Sequence, residues 1–228
     1  MTNLRCLLCF VLFATAGAVH AQVSSASLGD PNAKRNLIRL LDFPDTEGDA
    51  TELLECQSIL KSNGKMKDAS CYLKNNWDAD FAEAVQKASK KAVLVPAHIG
   101  KTAKDIALMF QVEFLKKGDE KSINVYLNPG DPEMVQEYGK DHVSAQRIMG
   151  RENWQNECPK HSKWVVLAKA FISEAGVASS VDLAHGGGIT PTGPCLKAIV
   201  KTVTSSTFAP ATVDGVPVPS GYTEPFGN

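Results

Sequence analysis

The chain has 228 residues and a formal net charge of −1 at neutral pH, with Lys and Glu interleaved along its length. A balance this close to zero, with no basic block, leaves no electrostatic footprint for nucleic acid or for an anionic membrane surface. With 43% hydrophobic residues it can bury a core, and its length suits one sizeable domain or two small ones.

The N-terminal stretch "MTNLRCLLCFVLFATAGAVHAQ" carries a single positive charge at Arg5, an apolar run from Cys6 to Val19 and small residues before Gln22. That order reads as a secretory signal peptide over residues 1–21, cleaved after Ala21. The apolar run is shorter than the roughly 18 to 20 residues that span a bilayer. Cys9 lies inside it rather than after it, which argues against a lipid anchor. The expectation is therefore a periplasmic or secreted protein, with no membrane span after cleavage. Residues 22–50 read as a lead segment holding a short helix across "AKRNLIRLL".

Four cysteines remain in the mature chain, Cys56, Cys71, Cys158 and Cys195. In an exported protein an even number reads as two disulfides, and four cysteines allow three pairings. One pairing follows from local geometry. "CQSILKSNGKMKDASC" is centred on Asn63-Gly64, a strong signal for a two-residue type I′ hairpin. Paired residue numbers in a hairpin share a constant sum, and Cys56 with Cys71 gives the same sum as Asn63 with Gly64. Directly opposed Cα atoms lie about 4.5 to 5.5 Å apart, within reach of a disulfide. Counting outward from a two-residue turn puts the pair at a hydrogen-bonded position, where side chains diverge more. Elimination then leaves Cys158–Cys195. A metal site on Cys158 and His161 in "CPKH" would need two further ligands nearby, and none is expected.

Beyond the hairpin, "DFAEAVQKASKK" offers Asp80 as N-cap with Glu83 three residues on, and Phe81, Ala84, Val85 and Ala88 recur at helical period, predicting a helix over 81–91. "AVLVPAHIGK" is a brief apolar strand stopped by Pro96 and turned at Gly100. Ile106, Leu108, Phe110, Val112 and Phe114 alternate as a half-buried strand. "KKGDE" reads as a hairpin tip, and "SINVYL" is the strand returning from it. Residues 129–163 read as a connecting insertion with a short helix capped by Asp131 and opened by Pro132. Tyr138 and Trp154 are expected in small satellite cores. From Trp164 the order begins again. Trp164, Val166, Ala168, Ala170 and Ile172 make one apolar face, Ala175-Gly176 turns the chain, Pro194 opens a helix, and Phe208-Ala-Pro-Ala leads to a turn at Asp214-Gly215 and a last extended run. Gly64 and Pro96 are 32 residues apart and Gly176 and Pro210 are 34 apart, so one unit is written twice.

This progression, ending in F-x-P-A-x-x-D-G-x-P-V-P, resembles the C-terminal domain of TonB-type energy transducers and their exported relatives. Gly176, Phe208, Pro210, Ala211, Gly215, Pro217 and Val218 carry the resemblance in the second unit, and Gly64, Pro96, Ala97 and Gly100 carry a fainter one in the first. It implies an α+β fold of two small modules, over 51–128 and 164–228, each an antiparallel hairpin, a short helix and a further strand. It also implies recognition of a protein segment by strand pairing. An energy transducer needs a retained membrane helix and a long Pro-rich spacer. Here the N-terminus reads as cleavable, and residues 22–50 hold only Pro31 and Pro44, so energy transduction is not carried over.

The run "AHGGGI" at His185 is similar to the glycine-rich oxyanion loop of some esterases, but those enzymes also need a Gly-x-Ser-x-Gly elbow, which the chain lacks. A glycine loop between hairpin and helix is the expected reading. The histidines show no compact ligand spacing and no glycine-rich phosphate loop precedes a helix. The expectation is a non-catalytic protein without metal or cofactor, whose partner is a protein segment. Pro217 and Pro219 lack N–H groups, so the run "VPVPSGYTEPF" must be an edge strand or an extended surface segment, and if it is an edge, Val216, Val218 and Tyr222 are the expected partner contacts. In the first unit the strand after Phe114 would cover the same edge. Two alternatives stand beside this reading: a self-associating envelope protein and a hydrolase using the His185 loop.

Overall fold

A computed structural model describes residues 23–72, 78–150 and 154–228. The expected signal peptide and its cleavage site lie outside them. In chain order the elements are β1 (Val23–Ser24), α1 (Leu37–Leu40), β2 (Ala50–Leu60), β3 (Met66–Tyr72), α2 (Asp78–Ser89), β4 (Ala97–Ile99), β5 (Thr102–Lys104), β6 (Ile106–Lys117), β7 (Glu120–Tyr126), α3 (Pro132–Tyr138), β8 (Gln146–Ile148), α4 (Trp154–Glu157), β9 (Trp164–Ile172), β10 (Ala178–Gly188), α5 (Gly193–Thr204), β11 (Phe208–Ala209), β12 (Ala211–Val213), β13 (Val216–Val218) and β14 (Ser220–Gly227). The fold is α+β with antiparallel sheets and few helices.

In the N-terminal part β2 is central, with β3 on one side and β6 on the other. Alternation puts Leu54, Cys56 and Leu60 of β2 and Ile106, Leu108, Phe110, Val112 and Phe114 of β6 on one buried face. Phe81, Val85 and Ala88 of α2 share that core, and Phe43, Phe81 and Phe114 meet edge to face with centroids 5.0 to 5.9 Å apart. In the C-terminal part β9 is central between β10 and β14. Trp164, Val166, Ala168, Ala170 and Ile172 face Cys195, Ile199 and Val203 of α5, and Tyr222 and Phe226 of β14 complete that core. The two parts share a sheet, because β8 pairs with β6 and β11 pairs with β8.

The Asn63-Gly64 hairpin differs from the expected two-residue turn. Lys61 N–H donates to the Lys65 carbonyl at 2.9 Å and Gly64 N–H to the Lys61 carbonyl at 2.8 Å, so the loop has three residues, with Gly64 left-handed at φ +78. Leu60 therefore faces Met66 and Ile59 faces Lys67, one residue off the expected register. A β-bulge at Asp68, φ +55, restores it, and Cys56 does face Cys71. Their Cα atoms are 3.9 Å apart, a close pair rather than the wider hydrogen-bonded kind. The disulfides are Cys56–Cys71 and Cys158–Cys195, bonds that fit an oxidising compartment.

Three further expectations change. The α2 helix begins at Asp78, so Asp80 lies in its first turn instead of capping it. The strand from Ile106 runs on to Lys117, leaving only Gly118-Asp119 between β6 and β7. His185 to Gly188 belong to β10, not to a loop, because Ala184 to Gly188 pair back onto β9 around a bulge. Asp131 caps α3 as expected, its carboxylate accepting from the N–H groups of Glu133 and Met134.

Candidate functional site

The strand that the sequence singles out as an edge is β14, which pairs with β9 on one side and with no strand on the other among the described residues. Its geometry separates what faces inward from what faces out. Ser220, Tyr222, Glu224 and Phe226 are buried, and the β9 ladder runs through the same even positions, continued by Asn228 N–H donating to the Trp164 carbonyl at 3.2 Å. The odd positions Gly221, Thr223, Pro225 and Gly227 therefore turn their backbone groups to the open side. Pro225, which has no N–H, sits at one of these and costs the β9 ladder nothing. At the start of the edge, Tyr138 Oη donates to the Pro219 carbonyl at 3.1 Å. From Thr223 on, no strand among the described residues faces the edge.

In the N-terminal part β6 has its outer side taken: β7 pairs with Gln111 to Lys117 and β8 with Ile106 and Ala107. Among the expected contact residues, Val216 lies on β13 and is 62% exposed. Val218 on the same strand is half-buried. Tyr222 is buried, its ring edge-on to Phe208 at 4.9 Å. Its side chain holds β14 against the core and offers a partner no surface.

Under β14 lies a cluster that no local sequence pattern announces. Arg147 of β8 donates to Glu224 from Nε at 2.6 Å and from Nη2 at 2.7 Å, a bidentate pair with side chains only 1% and 9% exposed. Tyr222 Oη donates to the same carboxylate at 2.7 Å. Burial, and then the Glu224 charge, push the Tyr222 phenol well above its ordinary range. The guanidinium also stands 5.6 Å from the Phe226 ring centroid. The partners are 77 residues apart in sequence. The one hint is an arginine within "SAQRIMG", a run with no other charge.

A second polar group closes the outer face of β6. Glu113 accepts from Tyr126 Oη at 2.8 Å, Asn124 Nδ2 at 3.1 Å and Lys140 Nζ at 3.2 Å. Burial alone would raise the Glu113 carboxyl, but these three donors outweigh it and hold the group below its usual range. Tyr126 is pushed up to about 12 by burial and by the same carboxylate.

His185 is exposed on β10. Its glycine neighbours serve packing, since a Cβ at Gly186 would lie 2.8 Å from Val165 Cγ1 and one at Gly188 would lie 2.0 Å from the Lys163 carbonyl. Cys158 is bonded to Cys195 rather than poised with His161. No cluster of three His, Cys, Asp or Glu side chains suited to a metal occurs among the described residues. Trp154 packs edge-on against Trp164 and Phe226, with centroids 6.1 and 5.3 Å away. Comparison with known proteins returns no match to a family model, to a curated sequence or to a solved structure.

Proposed function

We propose that this is an exported, non-catalytic protein-binding protein, matured by cleavage after Ala21 and built of two repeated modules of the TonB C-terminal kind. Its partner, an extended protein segment, adds as a strand to the outer edge of β14. The modular reading is supported by registers that recur position for position. In both hairpins a three-residue loop ends in a left-handed glycine, Gly64 or Gly176, whose carbonyl accepts from the backbone N–H of Leu94 or Phe208. In both, a positive-φ bulge follows four residues later, at Asp68 and at Ser180. Leu60 pairs with Ile106 and Ile172 pairs with Ser220, so the last strand docks on the first strand of each hairpin in the same alignment.

The repeat extends further upstream than the sequence suggests. Ser24 pairs with His98 and Ser27 bridges to Val95, while Val143 bridges to Thr212 and Gln146 pairs with Ala209. The "SSAS" and "VSAQ" segments thus occupy matching places, each burying its alanine, Ala26 or Ala145. On this reading the second module starts near Val143, and the connecting insertion is shorter than 129–163.

The observation that carries the binding assignment is the asymmetry of the two last strands: β7 and β8 take the outer side of β6, whereas among the described residues β14 faces no strand. Main-chain groups of Thr223, Pro225 and Gly227 would hold the partner strand, and Val216 and Val218 would flank it. Deleting β14 is a poor test, because Tyr222 and Phe226 are core residues. Thr223→Pro is a better one. It removes one outward N–H at a position equivalent to Pro225, so the second module should stay folded while capture of envelope proteins falls about tenfold or more, as for a lost ladder bond with a steric block. Thr223→Val keeps the N–H and should keep capture. Undiminished capture by folded Thr223→Pro would reject the edge, and a dimer of the chain dissolved by that substitution would assign the edge to self-association.

A further inference from the structure

A cleft of about 620 Å³ opens where the two halves meet, between the β4–β5 hairpin, the end of β8 and the C-terminal half of α5. Ligand sites favour such junctions, and this volume falls in the range that encloses a small organic molecule. Ile99, Ile148, Met149 and Trp154 supply an apolar wall. That wall is held by the core, since Ile148 is 8% exposed and Trp154 is fixed against Trp164 and Phe226. A thioether beside an indole makes an adaptable surface for a flat or branched body.

The polar side of the cleft carries the charge argument. Lys104 reaches it from β5 and Lys201 from α5. Neither takes part in a salt bridge among the described residues, although most other lining side chains are neutral. Among the described residues Glu157 is the one acid in the lining, against two lysines. The negative end of α5 does not cancel their charge, because Ser205 Oγ donates to the Lys201 carbonyl at 2.7 Å and Ser206 Oγ to the Thr202 carbonyl at 2.6 Å.

We infer that this cleft binds a small organic anion with an apolar body, the anionic group between Lys104 and Lys201 and the body against Met149 and Trp154. The site is separate from the β14 edge, so either assignment can fail without the other. Two probes of similar shape test it by fluorescence titration of the full mature protein: 8-anilinonaphthalene-1-sulfonate, which is anionic, and N-phenyl-1-naphthylamine, which is neutral. The sulfonate should bind saturably. The Lys104→Gln/Lys201→Gln double variant should weaken it about tenfold or more, the effect of losing charge-assisted contacts, while changing the neutral probe little. Ala198→Trp, which fills the cleft, should abolish sulfonate binding in a protein with an unchanged melting profile. Sulfonate affinity that survives the double variant, equal loss of both probes in it, or no saturable binding to the wild-type protein would each overturn the inference.

Discussion

Replacing Glu224 with leucine removes the carboxylate that receives two hydrogen bonds from Arg147 and one from Tyr222. The guanidinium is 1% exposed, so water cannot take over. Breaking a buried ion pair by deleting one partner costs about 3 to 5 kcal/mol. For a chain of this length about 1 kcal/mol lowers the melting temperature by roughly 2 to 4 °C, so Glu224→Leu should melt about 6 to 20 °C below wild type. The cost comes mainly from leaving a buried charge without the carboxylate that takes two of its hydrogen bonds, rather than from losing an attraction. Arg147→Met/Glu224→Leu, which removes both charges and keeps their volume, should therefore regain most of the loss. Thermal and denaturant unfolding of the disulfide-intact protein, followed by circular dichroism, measures Glu224→Leu, Arg147→Met and the double variant. A cost below about 1 kcal/mol for Glu224→Leu, or a double variant as unstable as the two singles added, would refute the reasoning.

The two disulfides should contribute unequally. They close loops of 37 residues (Cys158–Cys195) and 15 residues (Cys56–Cys71), so on loop entropy serine replacement of the first pair should cost about 4 kcal/mol and of the second about 3 kcal/mol in denaturant unfolding. Gly176→Ala should destabilise by well over the 1 kcal/mol or so of left-handed strain, because its Cβ would lie 2.2 Å from the Phe208 carbonyl oxygen; Gly215→Ala, with nothing within 4 Å, should cost only that strain. Tyr126 carries a proton up to about 12 in the folded protein, so its contribution to stability is whole below pH 10 and falls as pH rises through 12; Tyr126→Phe should flatten the stability profile over that window and remove one phenolate step near 12 from the ultraviolet titration. Ser220 is fully buried with no hydrogen-bond partner for its hydroxyl among the described residues, so Ser220→Ala should be neutral or stabilising by about 1 kcal/mol in the same unfolding assay.

The hairpins, α5, α3 and the run of strands were legible because their signals act within a few residues: period-two alternation in Ile106 to Phe114, an Asp-Pro start at α3, Pro-Ala followed by a glycine turn. The left-handed glycine turns were legible for the same reason. Gly64 and Gly176 must be glycine where φ is positive and a carbonyl lies close against them, and such constraints leave marks that survive when the surrounding side chains differ. The hairpin at Asn63-Gly64 shows where this stops. Its turn residues suggested one loop length, the chain uses another, and the bulge at Asp68 restores the register, so Cys56 meets Cys71 by a route the turn alone did not predict.

The amino-acid sequence by itself determined the hairpins, α3, α5 and the long strand from Ile106, since propensity, periodicity and the missing N–H of proline are local properties. Tertiary structure alone decided that β8 and β11 join the two parts in one sheet, that Tyr222 is core rather than contact, that Arg147 finds Glu224, and that Lys104 and Lys201 line one cleft. Each of these depends on segments far apart in the chain coming to lie side by side. A charge or a phenol buried there is stable only if its partner arrives from the other segment, and no spacing within one segment records that.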